Sequence, residues 1–187
     1  VNVMPSGVAS PVNSWDSYPY TWPGNNLELW GNVKYDGTGT LTYTWDFGDG
    51  SPVATGTATN RNNIAVNHAY SAGSWIATLT VTDGTVSDSD TVYLDVVPQD
   101  IKVQTNLAIQ RALKYLYMTR QTWSINGCNT YRWSGDRWEG STGLAVLAFE
   151  DHGHREMNNH DKDIYAETVE KGLDAIFAML RGTGASN

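Results

Sequence analysis

The chain has 187 residues, with 12 Lys and Arg against 20 Asp and Glu, a net charge of −8. So acidic a chain is a poor match to a phosphate backbone, which excludes nucleic acid as a partner, and no run of about eighteen apolar residues is present to span a membrane. The single cysteine, Cys128, can close no intrachain disulfide and belongs to no cysteine metal cluster.

The length allows one large or two small domains, and charge separates two. Residues 1 to 98 hold two basic residues (Lys34 and Arg61) and nine acidic ones, a net of −7, whereas the remainder holds ten basic and eleven acidic, a net of −1. The expected organisation is an extended arm over 1–24, a β-sandwich over 25–98 and a helical module over 99–187. Few Lys, many Ser, Thr, Asn and Gly, and eight Trp associate the chain with extracellular or cell-surface proteins. No charged and apolar leader precedes Val1, as expected if a signal peptide has been removed or if the numbering begins inside a longer protein. No Asn-x-Ser/Thr sequon occurs, which leaves O-linked sugars as the open modification.

Pro5, Pro11, Pro19 and Pro23 exclude a helix from the arm and confine any strand pairing there to edges. Trp15, Tyr18, Tyr20 and Trp22 make it aromatic. Three readings follow, in falling order: rings covering the sandwich's own flank, an arm laid on a neighbouring molecule's sheet edge, and a platform on which polysaccharide rings stack.

From residue 25 onward short strands are predicted at LELWGNV, LTYTWDF, NIAVNHAY, SWIATLTVTD and DTVYLDVV, separated by KYDGTGT, GDGSPVATGTATNRN, SAG and GTVSDS. Leu41, Tyr43, Trp45 and Phe47 alternate with Thr42, Thr44 and Asp46, as Trp75, Ala77, Leu79 and Val81 do with Ile76, Thr78 and Thr80. Such spacing predicts an antiparallel β-sandwich. The Gly48, Asp49, Gly50 turn needs positive φ and local carboxylate acceptors. YTWDFGDGS, then NHAYSAGSWIATLTVTDG and SDSDTVYLDVV, resemble a PKD domain, the immunoglobulin-like sandwich of microbial surface proteins and secreted hydrolases. The resemblance implies that Trp45 and Phe47 pack between the sheets, with Tyr70 and His68 near the corner; the alternation itself sends Trp75 and Leu79 inward. It implies that Asp46 and Asp49 shape the turn first and serve as calcium ligands second.

After the linker VPQD the period becomes helical. TNLAIQRALKYLYMTRQ places Ile109, Ala112, Leu113 and Leu116 on one stripe, with Thr105 or Asn106 as N-cap. STGLAVLAFEDHG is apolar nearly all round from Leu144 to Phe149, which predicts burial on every side. DIYAETVEKGLDAIFAMLR carries Tyr165, Val169, Leu173, Ile176, Phe177 and Leu180 at helical spacing and ends at Gly182. AIQRALKYLYMTRQ, GDRWEGSTGLAVLAFEDHGH and YAETVEKGLDAIFAML are similar to repeats of the α/α-toroid superfamily of terpene cyclases and prenyltransferases, with Gln121 and Trp138 at its Q and W positions. One and a half repeats are present, and the loop between, TWSINGCNTYRWSGDR, is longer and rearranged.

Catalytic constellations are not read. The cyclase acid motif D-x-D-D is absent; Asp161 and Asp163 are read as carboxylates at a helix start. Gly127, Cys128 and Asn129 do not continue a thioester motif, and no G-x-S-x-G is present. His152, His154, Glu156, His160 and Asp161 are zinc candidates by donor type, but their spacing is not that of H-E-x-x-H. The fold class expected is all-β plus all-α: an Ig-like antiparallel β-sandwich followed by a short three-helix α/α segment. The function expected is an extracellular, non-enzymatic structural or adhesive protein without a required cofactor, partnered by another copy or by further repeats of its own chain. A fragment of a secreted toroid-type or polysaccharide-active enzyme and a carbohydrate-binding module are the alternatives.

Overall fold

The computed structural model describes residues 2–3, 20–125, 127–134 and 138–182. The strands are β1 (Asn2–Val3), β2 (Tyr20–Thr21), β3 (Asn26–Asn32), β4 (Thr42–Asp46), β5 (Ala54–Thr57), β6 (Ile64–Ala69), β7 (Gly73–Thr82) and β8 (Ser87–Val96), followed by α1 (Ile101–Thr119), β9 (Gln121–Ile125), β10 (Cys128–Arg132), α2 (Trp138–Asp151) and α3 (Ala166–Gly182). Two compact units result, residues 1–110 with 161–164, and residues 111–160 with 165–187.

In the first unit a three-stranded sheet, β1-β3-β6, and a five-stranded sheet, β2-β8-β7-β4-β5, enclose an apolar core. This is the sandwich that the alternating pattern predicts. Period-2 alternation sends Leu27 and Leu29 of β3, Trp45 of β4, Ala77, Leu79 and Val81 of β7, and Val92, Leu94 and Val96 of β8 into one cluster. The opposite face of the large sheet reads threonine across its register, with Thr44 paired to Thr55 and to Thr80, a side chain that suits a half-exposed pleat. In this unit β1, β2 and β5 were not read from the sequence. β5 lies in the stretch read as loop, because its small residues carry no apolar alternation. Gly56 makes room there for Tyr43: a Cβ on it would lie 2.8 Å from the Tyr43 hydroxyl oxygen. β2 pairs in parallel with Asp95 and Val96, so the end of the arm is part of the sandwich.

α1 begins at Ile101, not near Thr105. Asp100 is the cap, its Oδ1 accepting the Val103 N–H at 2.9 Å. The buried stripe runs Val103, Leu107, Gln110, Leu113, Tyr117, whereas Ala112 is exposed. Leu107 belongs to the sandwich core, and for that reason the two units divide within α1, after Gln110, whereas charge had placed the boundary at Pro98. Asp161 and Asp163 do not open a helix either, because α3 starts at Ala166. Residues 161–164 belong to the sandwich unit, with Asp163 and Ile164 buried and Lys162 Nζ 3.4 Å from the buried Asp90 carboxylate of β8.

The second unit holds the end of α1, the β9-β10 hairpin, α2 and α3, and it is not a closed barrel. The hairpin occupies the stretch read as a rearranged loop, its register pairing Trp123 with Thr130 and Gln121 with Arg132. Burial of α2 on every side is overturned. Thr142, Ala145, Val146 and Phe149 are buried, while Leu144 is 70% and Leu147 58% exposed. An apolar composition states no direction; here only one side of the helix is packed. α3 likewise buries Ala166, Val169 and Ala175, with Tyr165 buried just before it, but exposes Phe177 and Leu180.

Candidate functional site

The most chemically structured place in the sandwich is the corner after β4. Trp45 points inward and is fully buried, and the next residue turns the chain. Asp46 Oδ1 accepts the Gly48 N–H at 2.9 Å, closing an Asx-type turn. Gly48 has φ 74°, and a Cβ there would stand 2.1 Å from the carbonyl oxygen of Ile76, so both the conformation and the space demand glycine.

Asp49 is the hub. Its Oδ1 accepts the Ser51 N–H at 3.0 Å and the Ser51 hydroxyl at 2.5 Å, and its Oδ2 lies 2.7 Å from His68 Nε2. Partial burial alone would push its pKa up, but the hydrogen bonds from His68 and Ser51 outweigh that and hold it down at about 2. His68 comes from β6, its ring stacked on Phe47 with centroids 3.8 Å apart and 8° between planes. Tyr70 meets His68 edge-on at 4.5 Å and donates its hydroxyl to the Phe47 carbonyl at 3.2 Å. Burial, then the charges of Asp49 and Asp46, push the Tyr70 phenol well above its ordinary range. Phe47, Tyr70 and Leu79 are buried, and Trp75 is half-buried against the core.

Ser51, His68 and Asp49 are the residue types of a nucleophilic triad, yet they are wired otherwise. In a triad the acid holds one imidazole nitrogen and the other takes the serine proton. Here a single nitrogen, Nε2, faces Asp49 at 2.7 Å and Ser51 at 3.4 Å. Donating to the carboxylate, Nε2 has no lone pair left for the serine, and the Ser51 proton already goes to Asp49. This wiring is that of a braced turn rather than of a serine aligned with a base. For a cation, Asp46 Oδ1 and both Asp49 oxygens already face N–H or O–H donors.

The remaining candidates are dispersed. His152 Nδ1 donates to the Ala148 carbonyl at 2.9 Å, His154 is buried with its ring 4.7 Å from that of Tyr165, and His160 Nε2 lies 3.2 Å from the Glu156 carbonyl oxygen. Among the described residues no group of three or more His, Cys, Asp or Glu is placed to hold a metal. Trp15 and Tyr18 lie outside the described residues. Tyr20 donates its backbone N–H to Asn106 Oδ1 at 3.2 Å, and Trp22 packs against the sandwich core. Gln121 is exposed on β9, while Trp138, the first residue of α2, is half-buried. The Asp49 to His68 link was not read from the sequence. Its available signal was the spacing of His68, near the end of β6, and Tyr70, just past it, two apart and so on one face of the chain.

Comparison with known proteins bears on the sandwich alone. A search of curated proteins finds no match. Among solved structures, the chain is similar to the PKD domain from the human VPS10 domain-containing receptor SorCS2, at 18% identity and a TM-score of 0.38, over 43% of this chain and 66% of that one. The family model of the PKD domain matches residues 8–96, beginning inside the stretch expected to be a separate arm and stopping before α1. No family match extends over the helical segment and its toroid-like sequence. Over residues 8–96 the chain is thus similar to PKD domains.

Proposed function

We propose that the chain is part of an extracellular, non-enzymatic structural or adhesive protein, with the PKD domain as its interaction module. The observation that carries this reading is the closed wiring of Asp49, Ser51 and His68: the polar groups richest in chemical potential are spent on one another. Leu144 and Leu147 on α2 and Phe177 and Leu180 on α3 are exposed, and apolar surface of that kind favours a covering partner. A further copy of the chain, arranged as an oligomer or filament, is the cover proposed first. The same exposed side chains favour a second reading, in which further toroid-type repeats of a longer secreted enzyme follow and the PKD domain is its accessory.

Incubated with polysaccharide, peptide or prenyl substrates, the full chain should show no turnover, while light scattering should show concentration-dependent association that Leu144→Asp with Leu147→Asp abolishes. Turnover lost on His152→Ala or His154→Ala would overturn the non-enzymatic reading, and a monomer at every concentration would overturn the self-assembly.

A further inference from the structure

Four cations among the described residues lie over aromatic rings, and three of them have acceptors as well. Arg61, over Tyr35, donates to the Tyr35 and Gly37 carbonyls. Arg120, over Tyr117 and Tyr131, donates to the Tyr117 carbonyl. Lys171, over Tyr131, pairs with Glu167 at 2.5 Å. Arg132 differs. Its guanidinium lies 4.6 Å from the ring centre of Trp123 and 5.7 Å from that of Trp138, and among the described residues it has neither a carboxylate nor a carbonyl acceptor.

The hairpin register creates this arrangement. Trp123 pairs with Thr130 and Arg132 with Gln121, so Trp123 and Arg132 are diagonal neighbours on one face. Trp138, at the start of α2, meets Trp123 at 4.5 Å and 81°. The result is a planar fork of five N–H donors set beside two indoles that also touch each other, all three side chains half-buried. These cation–π contacts hold the guanidinium in place in advance, which lowers the ordering cost of binding.

We propose that Trp123, Arg132 and Trp138 form a binding site for carboxylate-bearing sugar units of an acidic polysaccharide. The guanidinium takes the carboxylate through paired charge-assisted hydrogen bonds, and the indoles offer apolar surface to the C–H face of the adjoining ring. A bare inorganic anion would use the fork but leave the indoles idle; a neutral glycan would use the indoles but leave the fork unmatched. The helical unit does not repel such a polymer. Residues 111–160 and 165–187 hold eight basic and eight acidic residues, a net charge of zero, so the acidity of the whole chain resides elsewhere. The site lies outside the PKD domain, and its existence does not depend on the function proposed for that domain.

Titration of the full chain with polygalacturonate, followed by tryptophan fluorescence and calorimetry, tests it, with neutral dextran and inorganic sulfate run alongside. Saturable binding to polygalacturonate is expected, weakened about tenfold or more by Arg132→Gln and less by Arg132→Lys, with thermal melts unchanged in both variants. Absence of saturable binding overturns the proposal, as does dextran or sulfate binding as tightly, or an Arg132→Gln affinity equal to that of the parent. Trp123→Ala should also weaken the binding, and if that variant fails to fold the two Arg132 variants decide alone.

Discussion

Trp45→Ala is expected to destabilise the sandwich by about 3 to 5 kcal/mol, through lost transfer free energy and the cavity left behind. Trp45 is fully buried on a strand paired on both sides, to Ala54 of β5 and Leu79 of β7. Neighbours anchored by ladder hydrogen bonds cannot collapse into the space of an indole. Chemical denaturation of the sandwich transition measures the effect, and an unchanged midpoint would contradict the placement of Trp45 between the sheets.

Gly48→Ala should cost roughly 2 to 5 kcal/mol, combining a left-handed residue with an overpacked contact. The new methyl would meet backbone: the Ile76 carbonyl oxygen at 2.1 Å and its carbon at 3.0 Å, on a strand held from both sides in the large sheet. Gly50 is the control, with φ 81° and nothing within 4 Å of a Cβ. Gly50→Ala pays only the conformational part, roughly 1 to 2 kcal/mol. Equal losses in the two variants, read from denaturation midpoints, would show that the close approach to β7 carries no weight.

These two residues also show what sequence alone can disclose. Trp45 announces its burial by alternation with Thr44 and Asp46, a signal local to one strand. That Gly48 requires glycine follows in part from its turn, but the carbonyl that excludes a Cβ is 28 residues away at Ile76, a contact set by the register of β4 on β7. Asp49 and His68 likewise meet because two sheets close on each other, and no periodicity encodes that. β5 escaped notice because Thr55 and Thr57 alternate with Ala54 and Gly56 and offer no bulky apolar face. The β9-β10 hairpin, with its mixture of Thr, Ser, Asn and single aromatics, gave no clear alternation either. In α2 the composition was legible and its orientation was not, since Leu144 and Val146 look alike in a sequence and face opposite environments in the fold. Residues 161–164 join the sandwich unit through long-range contact, with Lys162 beside Asp90, which local charge patterns near a helix start conceal.

The Asp49 carboxylate of the DFGDG turn braces the corner through Ser51 and His68. With its folded pKa at about 2 against 3.8 for the unperturbed group, Asp49 contributes stability that is fully present above pH ~4 and is lost as pH falls through ~2. Asp49→Asn removes the charge and with it that dependence. Denaturation of both proteins from pH 6 down to pH 2 is the direct measurement. The parent should be the more stable at pH 6, and its advantage should shrink between pH ~4 and ~2; an advantage that stays constant across that window, or none at pH 6, would contradict the bracing role.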